Sequence, residues 1–95
     1  MSALHTLSRL PSSPAALSDT LAYLAAGSSV LLMQDAVAMA AQPRFAQTLA
    51  PYRLYLLSDD LAARGLTVAA DFSVTAVDYP GFVTLTLQHD NVQAW

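Results

Sequence analysis

Cysteine is absent from the 95 residues, which removes disulfides, thiolate metal ligands and thiol chemistry from this chain. Lysine and glutamate are absent too: the seven acids are all aspartate and the four bases all arginine. Charged residues are 12% of the chain, against roughly 25% in an ordinary soluble domain. The net charge of −3 and the scattered positions of Arg9, Arg44, Arg53 and Arg64 give no basic stripe for phosphates, so direct nucleic-acid binding is not expected. Long apolar runs are missing as well. Ala36–Ala41 is among the longest, far short of the roughly 20 residues a membrane span needs. The N-terminus lacks the charged start and apolar core of a signal peptide, so a cytoplasmic location is expected. The three glycines, Gly27, Gly65 and Gly81, are too widely spaced for a phosphate-binding loop or a dinucleotide fingerprint.

What is abundant is apolar: 55% of residues are hydrophobic. A chain of this length forms one domain, residues 1–95, and buries only about 60–70% of its extended surface. So few charges cannot cover what remains, and permanent contacts with other chains are expected.

The segment Ser28–Ala41 carries the clearest local signal. Val30–Met33 is a short, dense aliphatic run, suited to a strand buried on both faces of a parallel sheet. Gln34-Asp35 follows, then an alanine-rich helical segment from about Ala36 to Ala41. Asp35 stands where a helix N-cap is wanted, and also at a strand-to-helix turn, where parallel sheets bind ligands. It reads as a cap or as a contact residue for a ligand or partner.

The remaining elements alternate in type. Ala3–Leu7 reads as a strand, and Ser13 and Pro14 open a helix over 14–26, with Leu17, Leu21 and Leu24 on one face and Gly27 at its end. The second strand is Ser29–Gln34. Phe45 and Leu49 mark an amphipathic turn between Pro43 and Pro51. Arg53–Leu57 is a third strand; Ser58 then caps a helix whose Asp59 and Asp60 complement its dipole and which stops at Gly65. Ser73–Val77 is a fourth strand. This order favours a parallel sheet with helices on both faces. The last third is ambiguous. Val83, Leu85 and Leu87 alternate with polar residues as in a strand, yet Pro80-Gly81 could open a helix.

No catalytic constellation emerges. His5 and His89 lack partners at metal-ligand spacing and read as structural, Asp59-Asp60 as surface acids. Tyr52, Tyr55 and Tyr79 read as core or interface amphiphiles. Trp95 is expected to dock on a neighbouring element or chain.

Several stretches together resemble the TusB/DsrH family of DsrE-like sulfur-relay proteins. They are Leu4-His5-Thr6-Leu7; Leu31-Leu32-Met33-Gln34-Asp35-Ala36-Val37, close to the family's L-L-x-Q-D-G-V; Leu54-Tyr55-Leu56-Leu57 with Asp60-Leu61-x-Ala63-Arg64-Gly65; Val77-Asp78-Tyr79 with Gly81-Phe82-Val83; and the closing Gln93-Ala94-Trp95. The resemblance implies a DsrE-like (flavodoxin-like) three-layer α/β sandwich with a five-stranded, mainly parallel sheet, in which Gly81–His89 is a helix and Val92–Trp95 a final strand. It further implies a hetero-oligomer with two sister DsrE-like subunits, TusC-like and TusD-like, two copies of each. That complex passes persulfide sulfur toward 2-thiolation of the tRNA wobble uridine; a related branch serves sulfur oxidation. Persulfide relay needs a thiolate, and Asp19-Thr20-Leu21 stands where some relatives carry a cysteine. The expectation is a non-catalytic structural subunit of the tRNA branch, with no cofactor and no metal, and with Asp35 and Trp95 as partner contacts. The family's glycine after Gln-Asp is Ala36 here, which suits a first helical turn and not a positive φ. The competing readings are a sulfur-oxidation subunit, a small flavodoxin-like ligand-binding domain built around Asp35, and a homo-oligomer.

Overall fold

The computed structural model describes residues 3–95. Five parallel strands form one sheet: β1 (Ala3–Leu7), β2 (Ser29–Leu32), β3 (Arg53–Leu57), β4 (Thr75–Val77) and β5 (Asn91–Ala94). Their spatial order is β4-β3-β2-β1-β5. Thr6, for example, lies beside Leu31 on one side and Ala94 on the other.

Helix α1 (Pro14–Leu21) begins as its residue types dictate. Ser13 is extended, its side chain accepts a bond from the Ala16 N–H at 3.1 Å, and Pro14 occupies the first turn. It ends earlier than expected. The chain breaks into turns after Leu21 because Gly27, at φ 85, must present its N–H to the Pro51 carbonyl (3.0 Å) and bring β2 alongside β3. Glycine enters that left-handed region without steric cost. Leu24 remains buried despite the break.

After β2 the alanine-rich segment Gln34–Ala41 is a 3-10 helix of eight residues. With three residues per turn, side chains at i and i+3 align. That places Ala36 above Met39 and Val37 above Ala40, and these four are the buried ones. Ala36 has no positive φ and is fully buried, so alanine suits the position. A short turn at Pro43–Phe45 leads into α2 (Ala46–Leu49), which buries Phe45 and Leu49.

Helix α3 (Ser58–Ala63) follows β3. Ser58 is its first residue and not its cap; its hydroxyl instead donates to the Val77 carbonyl (3.1 Å), tying α3 to β4. Residues Tyr79–Gln88 form α4, so the helical expectation holds and the strand pattern is overturned. Asp78 caps α4 by accepting from the Gly81 N–H at 2.8 Å. The Thr84 and Thr86 hydroxyls donate back to the Pro80 and Val83 carbonyls, a helical habit of threonine. The alternation itself has a helical explanation. At 100° per residue Leu85 points opposite to Val83 and Leu87; Leu85 is buried, while Val83 and Leu87 are 47% and 81% exposed.

Topology decides how the sheet is covered. The crossovers β1→β2, β2→β3 and β3→β4 all step the same way, and β4→β5 returns over the whole sheet. If each is right-handed, the first three share one face and α4 has the other alone. The packing agrees. A large core joins Leu17, Leu21, Phe45 and Leu49 to Val30, Leu32, Leu54 and Leu56. On the α4 side a smaller cluster joins buried Leu4, Leu31 and Leu85, with Met33, Tyr55, Val77 and Phe82 half-buried around them.

Candidate functional site

The carboxyl ends of parallel strands are where such sheets present sites, and the residues singled out from sequence gather there. Gln34, two residues past the end of β2, adopts φ 50, a strained conformation for a residue with a Cβ. Its N–H donates to the Asp60 carboxylate at 2.6 Å. Asp60, in the first turn of α3, thus satisfies a free backbone donor at the start of the 3-10 helix.

Asp35 is not that cap. Gln34 already begins the turn and Met33 holds the capping position without a side-chain bond, so Asp35 sits one residue too far along. Its Oδ1 accepts from Arg64 Nη2 at 3.0 Å and Nε at 3.3 Å, in an ion pair whose acid is 76% exposed. Arg64 Nη1 also donates to the Asp60 carbonyl at 3.2 Å. The two motifs Gln34-Asp35 and Asp60–Gly65, remote in sequence, are therefore one bonded cluster. Asp60 and Arg64 stand at i and i+4, the only hint in the sequence that they act together; Asp59 is simply exposed.

Trp95 packs at the same edge. Its backbone N–H donates to the Thr6 carbonyl at 3.0 Å and its Nε1–H to His5 Nδ1 at 3.0 Å. Its ring stacks on Tyr23, with centroids 5.9 Å apart and planes at 17°. His5 is buried and its pKa is lowered from 6.5 by that burial. Tyr23, 79% exposed, gave no sign in the sequence of pairing with Trp95. His89 is held at the end of α4, its Nδ1 2.7 Å from the Leu85 carbonyl.

Two shallow clefts meet beside these residues and share Arg9 and Leu10. One, of about 520 Å³, is bordered by Asp35, Ala38, Arg64 and Leu66. The other, of about 350 Å³, runs past Leu17, Thr20 and Met39 to Trp95. Their chemistry is apolar contact plus arginine and a single carboxylate, with no thiol or paired acids. No group of three or more metal-ligating side chains occurs among the described residues. None of the described helices is long and apolar enough to cross a membrane.

Residues 10–92 match the family described as DsrH like protein. The chain belongs to the DsrH/TusB family. Protein TusB of Escherichia coli O81 (strain ED1a) is 41% identical over 97 residues, covering 97% of this chain and 99% of that protein. Protein TusB of Shigella sonnei (strain Ss046) is 40% identical over 95 residues, with the same coverage. The crystal structure of the ychN protein from E. coli superposes over the full length of both chains with a TM-score of 0.67 at 15% identity, which supports the DsrE-like fold alone. DsrH/TusB proteins are sulfur-relay proteins. Thr20 lines the Trp95 cleft.

Proposed function

We propose that this chain is a non-catalytic structural subunit of a cytoplasmic hetero-oligomeric sulfur-relay complex, which passes persulfide sulfur toward 2-thiolation of the tRNA wobble uridine. Its partners are two sister DsrE-like subunits, TusC-like and TusD-like, with two copies of each chain. The observation that carries the reading is the absence of cysteine from all 95 residues. A relay step requires a thiolate to attack, hold and hand on the sulfur, so a sister chain must supply it. The surface supports an assembly role. Helix α4 contains no charged residue and leaves Tyr79, Val83 and Leu87 uncovered over the thinner core, an apolar stripe at i, i+4 and i+8 suited to packing against another subunit. Asp35 and Trp95, both exposed at the carboxyl edge, are further partner contacts in this reading.

Affinity purification of the tagged chain from its native host, followed by mass spectrometry, tests the assembly. Two short DsrE-like chains are expected, and recovery of the chain alone overturns the proposal. Deleting the gene should abolish 2-thiouridine in bulk tRNA, and the cysteine-free chain should restore it. Unchanged thiouridine with partners still co-purifying would move the protein to the sulfur-oxidation branch. Saturable small-molecule binding lost in Asp35→Ala would instead favour a ligand-binding domain.

A further inference from the structure

β5 is held to the sheet mainly through its backbone ladder with β1. All four of its residues are exposed, it pairs with β1 alone, and it contributes no side chain to either core. Its side-chain anchorage is concentrated in Trp95: the bond from Nε1–H to His5 Nδ1 at 3.0 Å and the stack on Tyr23. Indole nitrogen only donates. His5 Nδ1 must therefore be the bare nitrogen, with any ring proton on Nε2. A second proton would place N–H against N–H and turn the anchor into a repulsion.

We propose that His5 and Trp95 form a proton-operated latch on the C-terminal strand, closed while His5 is neutral and released when His5 gains a proton. Histidine is the side chain whose titration falls in the physiological range. Burial at 7% exposure and the bond to Trp95 both favour the neutral ring. Among the described residues no charged side chain is bonded to His5. β2 and β5, which flank His5 at Val30 and Gln93, carry no ionisable side chain. On α1 and its flanking loops the ionisable groups are Arg9, Asp19 and the Tyr23 phenol. The only ion pair of side chains among the described residues is Asp35 with Arg64. Asp90, just before β5, has contacts of its own, and His89 is bonded at the end of α4. Release would free the edge of β1 and uncover the cleft that Trp95 borders, so the latch couples proton concentration to the shape of the carboxyl edge.

Trp95 is the only tryptophan, so the full chain reports on its own latch. The emission maximum should shift to the red between about pH 8 and about pH 5, with one midpoint below the ordinary histidine value. Deuterium uptake by the C-terminal peptide, corrected for intrinsic exchange, should rise several-fold over the same range, because the Trp95 amide is bonded to Thr6 only while β5 is docked. Uptake can be read with or without partner chains bound. His5→Asn keeps an acceptor at the Nδ1 position and cannot be protonated, so both signals should stay flat. Should that variant not fold, Trp95→Phe keeps a ring and removes the donor, and the His5 midpoint read by NMR should then rise. A wild-type chain with flat signals, an unchanged transition in His5→Asn, or an unmoved His5 midpoint in Trp95→Phe would each overturn the latch.

Discussion

Asp60 and Asp35 flank the same turn, yet removing one should matter far more than removing the other. Asp60 makes a 2.6 Å charge-assisted bond to the N–H of Gln34 and holds that residue at φ 50. Loss of such a cap costs about 1 kcal/mol and up to about 2, and a strained conformation persists only while its surroundings enforce it. Asp60→Ala should therefore lower stability by about 1–2 kcal/mol, at about 4–8 °C in Tm for each kcal/mol in a domain of this size. Asp35 has only Arg64, and 76% of its side chain is in solvent. Exposed pairs contribute about 0–1 kcal/mol, so Asp35→Ala should shift Tm by at most about 4–8 °C on the same scale and by less than Asp60→Ala. Asp60→Asn keeps the oxygen, loses the charge and should fall between. Thermal unfolding of the three variants, repeated at high salt, separates the effects: screening should erase the Asp35 difference and leave most of the Asp60 one. Asp35→Ala as destabilising as Asp60→Ala would refute the assignment of the cap.

Other expectations follow from burial and charge. Leu87→Asp should leave the isolated fold intact, because the side chain is 81% exposed, and weaken association with partner subunits by about tenfold or more; co-purification yield and a binding titration check this. Phe45→Ala removes a fully enclosed ring from the large core and should cost about 3–5 kcal/mol, a large share of the stability of any small domain, seen as loss of the cooperative urea transition. Gly81→Ala places a Cβ 3.2 Å from Val77 Cβ and 3.1 Å from the capping Asp78 carboxylate, so α4 should lose stability in hydrogen exchange. Because burial lowers the His5 pKa, the unfolded chain takes up that proton first. The stabilising contribution is then whole above about pH 6.5 and is lost as pH falls through the folded value, which urea unfolding at two pH values would reveal.

Local rules account for much of the fold. Ser13-Pro14 and the exact bounds of β1 and β3 follow from capping chemistry and apolar runs read residue by residue. The misassignments have a common cause, a partner distant in sequence. Asp35 looks like a cap because it follows a strand, but the capping carboxylate on the Gln34 N–H arrives from Asp60, 26 residues beyond Gln34. Ser58 looks like a cap, but the Val77 carbonyl claims its hydroxyl. The helix expected over 14–26 stops at Leu21 because Gly27 answers to Pro51. Val83–Leu87 reads as a strand because period two and a helix apolar on both sides produce the same short pattern. The pairing of Trp95 with Tyr23 and His5 had no local signal, since it depends on β5 lying beside β1 at the far end of the chain.

The double-sided character of α4 connects topology to assembly. Three successive crossovers in one direction leave a single connection to cover the opposite face of five strands, and ten residues of helix are too few to enclose it. The sequence does not compensate with charge there. Leu85 and Phe82 turn inward to a small cluster with Leu4 and Leu31, while Tyr79, Val83 and Leu87 turn outward. In an isolated monomer those outer side chains would be an aggregation liability, and a charged residue at any of them would remove it without disturbing the core. Their exposure in a chain with so few charges suits the subunit interface proposed above. The missing thiol and the uncovered helix both fit the proposed reading, in which another chain brings the chemistry and this chain offers a surface on which to hold it.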